Sequence, residues 1–163
     1  MDDVVGVVLR ESVESDLDVL FEHWVDPESN WMAAFTSAEP NDRRAFDERW
    51  RRLRENEDTT TRVIEVAGEV VGSIGSWTGD GGREVTYWIG RTHWGRGIAT
   101  AALRQFLAEV DRRRPMLAAT AFDNLASQRV LEKCGFRRVG AGTGAPSNAR
   151  GTFVEETLFR LDR

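Results

Sequence analysis

The 163-residue sequence has very little of what builds disulfide-bonded or metal-binding proteins. Cys134 is the only cysteine, and His23 and His93 are the only histidines. A single cysteine cannot form a disulfide within the chain, and these three residues are too few for a Cys/His zinc cluster. We therefore expect neither a disulfide framework nor a bound metal.

Long apolar segments are also missing, and the net charge is unfavourable for nucleic-acid binding. No apolar run approaches the ~18 residues of a membrane-spanning helix, and MDDVVGVV at the start lacks the basic and apolar regions of a secretory signal. We therefore predict a cytoplasmic protein without a membrane partner.

The formal net charge is -5, whereas a general nucleic-acid surface needs an excess of Lys and Arg. An anionic ligand would thus require a locally positive site.

Hydrophobic periodicity predicts four helices within one domain. The apolar content of 40% suits a single domain, residues 1–163, with a core of its own. Four segments repeat at helical spacing, each beside a start or stop signal. The predicted helical stripes are Leu17, Leu20, Phe21 and Trp24, ending near Asp26-Pro27; Phe46, Trp50 and Leu53 after an Asn41 cap; Leu103, Phe106, Leu107 and Val110 before Pro115; and Ser127, Val130, Leu131 and Cys134 before Gly135.

Seven strands are predicted around these helices. Two turn signals, Ala67-Gly68 and residues 78–82, separate three consecutive strands. The mostly apolar strand after Pro115 is predicted to be a buried central one. The predicted strands are residues 4–10, 59–66, 69–77, 84–89, 116–122, 135–141 and 152–161, with a polar loop over 142–151.

The segment THWGRGIATAALRQFLAEV, residues 92–110, places two glycines directly before a predicted helix. A helix start leaves about four N–H groups without partners and has roughly half a positive charge. Gly95 and Gly97 have no side chain to block an approach and can adopt positive φ, so this loop can fold around a pyrophosphate. Arg91 and Arg96 can add positive charge. The alternative is an ordinary tight connection between a strand and a helix.

Two other phosphate-binding loops fit this segment poorly. A P-loop requires a lysine followed by Ser or Thr, and no lysine lies near. A dinucleotide-binding fold would need a glycine at Thr100 and an acidic residue near Thr120 or Ala121.

Two motifs resemble the GNAT (N-acetyltransferase) superfamily. WGRGIA, residues 94–99, resembles the family's acetyl-CoA pyrophosphate loop, with Trp94 where most members have Gln or Arg. NLASQRVLEKCGF, residues 124–136, resembles its second motif, and together they are similar to the branch that includes ribosomal-protein N-terminal acetyltransferases. The resemblance implies a single-domain α+β GNAT fold, in which about four helices flank a mixed, mostly antiparallel central sheet that is splayed between two parallel strands.

The resemblance also implies that acetyl-CoA is the cosubstrate and lies between the strands that end at Ile89 and Phe122. Asn124 would bind a pantetheine amide and Arg129 the adenosine 3′-phosphate. Asn124 is equally suited to a helix N-cap, and Arg129 to an exposed helix face. The implied cofactor-binding residues are Trp88, Ile89, Trp94, Gly95, Arg96, Gly97, Ile98, Ala99, Thr100, Asn124, Ser127 and Arg129.

Glu84 is the candidate general base. Strand alternation places it on one face with Thr86 and Trp88, and relatives have a catalytic glutamate at this position. It would act through a water molecule, and the Ile89 N–H is the implied oxyanion donor. The alternative is a solvated acid beside the preceding turn.

The general acid departs from the family pattern. Leu131 occupies the position of the usual tyrosine, and Tyr87, the only tyrosine, lies on a strand, so we exclude a tyrosine acid. Ser127 is the implied substitute, unless it only caps or packs the helix, or the thiolate leaves without help. Cys134 has no histidine placed to activate it, so we predict a buried structural thiol.

The acceptor is an amine of unknown identity, either a protein N-terminus or a small molecule. Trp31 and Phe35 are the candidate substrate-binding residues, although aromatic residues near helices are commonly part of a core. The predicted function is direct acetyl transfer within a ternary complex. The alternatives are a non-catalytic acyl-CoA sensor and a nucleotide-binding regulatory domain. The resemblance does not decide the oligomeric state and is compatible with a homodimer.

Overall fold

Five α-helices occur in residues 6–163, the part of the chain that the computed structural model describes. α4 continues as a π-helical turn over Phe106–Val110, in which the Asp111 N–H donates to the Phe106 carbonyl (2.9 Å). The four predicted helices are present, and α2 is additional. The helices are α1 Leu17–Val25, α2 Pro27–Ala33, α3 Arg43–Glu55, α4 Ile98–Gln105 and α5 Leu125–Lys133.

Two helix boundaries differ from those predicted. Asp26-Pro27 ends α1 as predicted but also begins α2, because the Asp26 carboxylate accepts from the Ser29 N–H (2.9 Å) and proline suits a first helical position. The predicted Asn41 cap on α3 is wrong by one residue. Asp42 is the cap, and its carboxylate accepts from the Ala45 N–H (3.0 Å).

The strands follow the predicted order, with corrections near the C-terminus. The predicted loop 142–151 contains a short strand, and the predicted strand 152–161 is interrupted at Glu155. Val4 and Val5 of the first predicted strand lie outside the described residues. The strands are β1 Val7–Arg10, β2 Thr60–Val66, β3 Glu69–Gly79, β4 Gly82–Ile89, β5 Met116–Ala121, β6 Arg137–Ala141, β7 Ala145–Ser147, β8 Thr152–Val154 and β9 Glu156–Leu161.

The main sheet is splayed between β4 and β5. Its order is β1-β2-β3-β4-β5-β9-β6, and β7 pairs with β8 in a separate hairpin. All neighbours are antiparallel except β4 and β5, which are parallel and pair at Arg83 with Met116 and at Glu84 with Leu117. Beyond Glu84 the two strands separate and leave a cleft between them, which we call the split. The mixed, splayed sheet implied by the resemblance is confirmed.

The two faces of the sheet are covered by different helices. Val85, Tyr87 and Ile89 of β4 pack into a core with α4 and α5, which includes Phe106 and Leu131. On the opposite face, α1 and α3 form a second cluster with β2, built mainly from Leu17, Leu20, Phe46, Trp50 and Val63. β4 therefore separates two sides of the molecule.

A buried ion pair secures the closed end of the split. The Arg83 guanidinium at the start of β4 lies 2.8 Å from the Asp111 carboxylate, which also accepts from the Ser76 hydroxyl (2.6 Å). The hydrogen bonds from Arg113, Ser76 and Arg83 keep the pKa of Asp111 well below its usual value despite burial. Buried charges need such partners, so this network holds β4 where it last pairs with β5.

Candidate active site

The loop before α4 presents free backbone donors. Among the described residues, none accepts a hydrogen bond from the N–H groups of residues 95–100. Gly95 and Gly97 have φ of 74° and 75°, and a Cβ on Gly95 would meet no described atom within 4 Å. Gly97 is the N-cap of α4 and supplies no side-chain acceptor. The loop therefore fits a diphosphate group, as its sequence predicts.

The end of β4 also presents backbone groups to the split. The Gly90 N–H donates to the Val71 carbonyl of β3 (2.9 Å). Because alternate residues of an antiparallel strand bond to the same neighbour, the Ile89 N–H points away from β3 and into the split. The Ile89 carbonyl accepts from the Trp94 indole N–H (2.9 Å). Trp94 thus ties the glycine loop to β4.

The three arginines that the sequence suggests for phosphate binding differ in their availability. Arg91 pairs with Asp26 (3.0 Å) and Glu28 (3.3 Å), so its charge is directed toward α2. Arg96 contacts His93 Nδ1 (3.2 Å) and is exposed. Arg129 is exposed on α5 and has no hydrogen-bond or ion-pair partner among residues 6–163. The positive charge expected from Arg91 is therefore largely neutralised, whereas Arg129 keeps its own.

Asn124 is the N-cap of α5. Its side-chain oxygen accepts from the Ser127 N–H (3.3 Å), and its side-chain nitrogen is 3.4 Å from the Met32 carbonyl of α2. The capping alternative is therefore realised. A contact with pantetheine remains a prediction, since it would compete with these long hydrogen bonds.

The Ser127 and Tyr87 hydroxyls meet at the α5 side of the split. Their oxygens are 2.7 Å apart, and the Tyr87 hydroxyl is also 3.2 Å from the Ser127 carbonyl. Burial is the main cause that raises the pKa of Tyr87 far above its usual range. Tyr87 lies on a strand and not on the helix that usually supplies the acid. Alternation along β4 nevertheless directs its side chain toward α5 and the Ser127 hydroxyl. Tyr87 therefore contacts the candidate acid, while Leu131 is buried.

Glu84 is half-buried at the last residue pair between β4 and β5. Burial is the main cause that raises its pKa, a hydrogen bond from the Trp77 side chain opposes this shift, and the negative charges of Asp80 and Glu156 add to it. Its carboxylate lies against Gly79, where a Cβ would come within 2.5 Å of it. Glu84 is thus not a freely solvated acid, and its environment is suited to proton transfer.

Trp88 places its indole on the Glu84 side of β4, away from α4 and α5. The indole N–H donates to the His23 carbonyl of α1 (3.1 Å), and its ring centroid is 5.1 Å from that of Trp24. His23 packs on Gly90, where a Cβ would come within 2.6 Å of the imidazole. The Trp88 side chain is therefore directed away from the side on which Tyr87 contacts Ser127.

Trp31 lies in α2 and Phe35 shortly after it, and Trp31 is held by a residue that sequence reasoning missed. Trp31 is 47% exposed and Phe35 is 37% exposed. The Arg150 guanidinium lies 3.9 Å from the Trp31 ring centroid and pairs with Asp123 just after β5 (2.8 Å). Arg150 thereby joins the β7–β8 hairpin to α2. No local pattern indicates this role, because the contacting residues are 119 positions apart.

Cys134 is a poor nucleophile in this structure. Burial raises the pKa of its thiol to about 11, and its sulfur lies 3.6 Å from the Thr100 carbonyl.

Within residues 6–163, no group of three or more His, Cys, Asp or Glu side chains is placed to hold a metal ion. In the same range, no helix combines the length and the apolar character needed to cross a membrane.

Comparison with known proteins identifies the domain type. A family model described as an acetyltransferase (GNAT) domain matches residues 7–137. No curated protein sequence matches the chain.

Solved structures share the fold at low sequence identity. A spermidine N-acetyltransferase from Vibrio cholerae, in complex with CoA and spermine, is 16% identical (TM-score 0.82; 96% of this chain and 95% of that chain covered). A ribosomal-protein-alanine N-acetyltransferase from Brucella melitensis is 20% identical (TM-score 0.80; 96% and 99% covered). AAC(6')-Ib, in complex with ribostamycin and coenzyme A, is 20% identical (TM-score 0.76; 98% and 94% covered).

Proposed function

We propose that this chain, which belongs to the GNAT acetyltransferase family, transfers an acetyl group from acetyl-CoA to a primary amine in a ternary complex. The proposal rests above all on the unpaired amides of residues 95–100 beside the split between β4 and β5. These donors suit a diphosphate, and the free backbone of β4 suits an extended pantetheine arm. Solved structures of the same fold contain CoA.

The binding roles follow from this placement. The amides of residues 95–100 hold the pyrophosphate, and Arg96 and Arg129 contribute positive charge to the phosphates. Trp94 keeps the loop attached to β4 through the Ile89 carbonyl. Asn124 orders the start of α5 beside the pantetheine arm. Backbone groups thus provide most of the cofactor recognition.

The catalytic roles divide between the two sides of β4. Glu84 takes a proton from the amine through water, the amine nitrogen attacks the thioester carbon, and the Ile89 N–H stabilises the oxyanion. When the carbon–sulfur bond breaks, the departing thiolate takes a proton from Ser127, which regains one from solvent water, while Glu84 releases to solvent the proton that it took from the amine. Tyr87 orients the Ser127 hydroxyl by their 2.7 Å hydrogen bond. Base and acid therefore act from opposite faces of the strand.

The acceptor class is also a proposal. The solved structures with this fold include proteins whose names or complexes indicate spermidine, ribostamycin and a ribosomal protein as amine partners. Trp31 and Phe35 support an acceptor site between α2 and the β7–β8 hairpin. Exposed aromatic side chains of this kind suit either a protein N-terminus or a small amine. A cytoplasmic location, a homodimer and a single domain over residues 1–163 also remain proposals.

Measurement of free CoA tests the function. The protein, acetyl-CoA and a panel of amines are mixed, and thiol release is followed, while calorimetry records the binding of CoA. Thiol release with any amine supports the proposal, and a lack of CoA binding contradicts it. Binding without release for every acceptor would favour the acyl-CoA sensor, for which Leu131 at the usual tyrosine position is the favouring observation.

A further inference from the structure

The Glu84 carboxylate lies over the neighbouring strand β3. Glu84 is directly opposite Trp77 in the antiparallel pair of β3 and β4, and Gly79 is two residues further along β3 on the same face. A Cβ on Gly79 would lie 2.5 Å from one Glu84 carboxylate oxygen and 3.3 Å from the other. The carboxylate therefore occupies space that only a glycine at position 79 leaves free.

Trp77 adds a hydrogen bond to this contact. Side chains directly opposite each other in an antiparallel pair have Cβ atoms about 4.5–5.5 Å apart, so the Trp77 indole and the Glu84 carboxylate lie side by side. The indole N–H donates to the carboxylate, and no other side chain within residues 6–163 does so. Both side chains are half-buried. Two residues of β3 thus restrict the orientation of the candidate base.

The negative charges near Glu84 make the Trp77 contact important for ionisation. Asp80 in the turn before β4 and Glu156 of β9 add to the effect of burial, which raises the pKa of Glu84. A hydrogen bond donated to a carboxylate favours its charged form and acts in the opposite direction. Trp77 is therefore the neighbour that helps Glu84 to stay ionised, the form in which it can accept a proton.

The nearby positive charges are paired with other groups. Arg160 of β9 lies on the face of the sheet that includes Glu84, but its guanidinium is 2.6 Å from the Asp162 carboxylate. Arg83 precedes Glu84 in β4, points to the opposite face and pairs with Asp111 (2.8 Å). Neither arginine is among the causes that shift the pKa of Glu84. The contacts with β3 therefore have no substitute among these cations.

We propose that Trp77 and Gly79 are positioning residues for the general base, because the indole N–H holds the Glu84 carboxylate against the bare backbone of Gly79. The inference rests on the proposed function, in which Glu84 is that base. β3 and β5 lie on opposite sides of β4, so a carboxylate held over β3 is set back from the split. This placement suits proton transfer through water, which requires a base with a fixed distance to the bridging molecule.

Gly79→Ala tests the steric part of the proposal. The new methyl group displaces the carboxylate, and kcat should fall about tenfold with an unchanged KM for acetyl-CoA, since small misplacements of catalytic groups are costly. Gly81→Ala is the matched control. Neither glycine has a positive φ, and a Cβ on Gly81 would make an ordinary contact of 3.4 Å with Leu117. In the Glu84→Gln background, Gly79→Ala should cause little further loss.

Trp77→Phe tests the hydrogen bond, because it keeps an aromatic ring and removes the N–H group. Without that donor the pKa of Glu84 should rise further. The acidic limb of the profile of kcat/KM against pH should therefore move to higher pH. A tryptophan with a structural role alone would lower the rate without moving this limb.

NMR of the indole N–H groups observes the contact without turnover. The Trp77 signal is the one among six tryptophans that Trp77→Phe removes. Its chemical shift should change with pH as Glu84 titrates, and this change should be absent in Glu84→Gln. Asp80→Asn removes a neighbouring acid and should leave the change in place.

Two results would overturn the inference. One is a Trp77 signal whose pH dependence is the same in the wild type and in Glu84→Gln, and the other is an equal loss of kcat from Gly79→Ala with and without Glu84. Both would leave the acetyltransferase assignment in place, because thiol is still released. No release with any amine, together with no CoA binding, would instead contradict the proposed function, and the role of these residues in catalysis with it.

Discussion

The two sides of β4 are built from different kinds of interaction. On the α4 and α5 side, backbone amides of one loop, the free edge of β4 and the start of α5 meet within residues 84–136. Elsewhere, around α1, α2 and the β7–β8 hairpin, the surface consists of side chains from distant segments, such as Trp24, Trp31 and Arg150. The first side presents backbone groups, which every residue has. The second presents side chains, which a single substitution changes.

This difference explains how one fold can keep a cosubstrate while its acceptor varies. A diphosphate is held by N–H groups and by the absence of side chains, so few identities besides glycine matter. An acceptor is recognised by charge, shape and aromatic contacts, which need particular side chains. The predictions below test whether the two sides are separable.

The largest expected effect is on catalysis from the acceptor side. Glu84→Gln removes the candidate base and should lower kcat about 100-fold, within the usual range for general-base catalysis. The affinity for CoA should not change, which calorimetry can measure. Glu65→Gln removes another half-buried carboxylate of the same sheet, one that pairs with Arg10 and is not among the charges that shift the pKa of Glu84, and it serves as the control. Similar losses in both variants would show a general effect of charge.

The pH dependence sharpens this test. Burial raises the pKa of Glu84 above its usual value of 4.5, and the ionised form is the base. Activity should therefore fall as the pH decreases through this raised pKa, and the acidic limb should disappear in Glu84→Gln. Since folding favours the protonated form, ionised Glu84 lowers stability at neutral pH. The variant should melt at the same or a higher temperature at pH 7, and this difference should vanish in acid.

The next effect concerns the hydroxyl pair on the cofactor side. Tyr87→Phe and Ser127→Ala should each lower kcat about tenfold, and the double variant should lose little more, because residues that act as a unit are not additive. KM for acetyl-CoA should stay constant. Additive losses would indicate that the 2.7 Å contact is structural only.

A smaller effect is expected from strain in the glycine loop. Gly95 and Gly68 have φ of 74° and 79°, and at neither position would the Cβ of an alanine meet a described atom within 4 Å. Gly95→Ala lets the free loop relax toward negative φ, so CoA must restore the strained form and should bind about fivefold more weakly, equivalent to ~1 kcal/mol. Gly68→Ala should lower the free energy of unfolding by a similar ~1 kcal/mol without changing CoA binding.

The smallest effect is expected from the contact between the hairpin and α2. Arg150→Met removes the pair with Asp123 and the contact over Trp31, so KM for the amine should rise about threefold while CoA binding is unchanged. Arg137→Met removes an exposed ion pair with Asp162 and is the control. A weaker affinity for CoA in Arg150→Met would contradict the separation of the two sides.

The cofactor side was the more predictable part of the site. The strand ending at Ile89, the glycine loop and the start of α4 are adjacent in the chain, and each has a local signal. The contact of Tyr87 with Ser127 could also have been inferred, because alternation along β4 places Tyr87 opposite Glu84. α2 had a signal as well, since Asp26-Pro27 is a helix start and not only a stop.

The acceptor side was less predictable for a physical reason. Arg150, Trp31 and Asp123 have no shared local pattern, and their meeting depends on how the β7–β8 hairpin packs on α2. Such contacts arise from the packing of separate segments, to which hydrophobic periodicity is insensitive.

The amino-acid sequence by itself determined the order of helices and strands, the glycine loop at the start of α4 and the family, because these depend on neighbouring residues and backbone conformation. Tertiary structure alone decided which side chains meet across the split and on the opposite face of β4. These side-chain contacts form only when a common core brings together segments that are far apart in the chain. No local sequence pattern specifies the resulting distances.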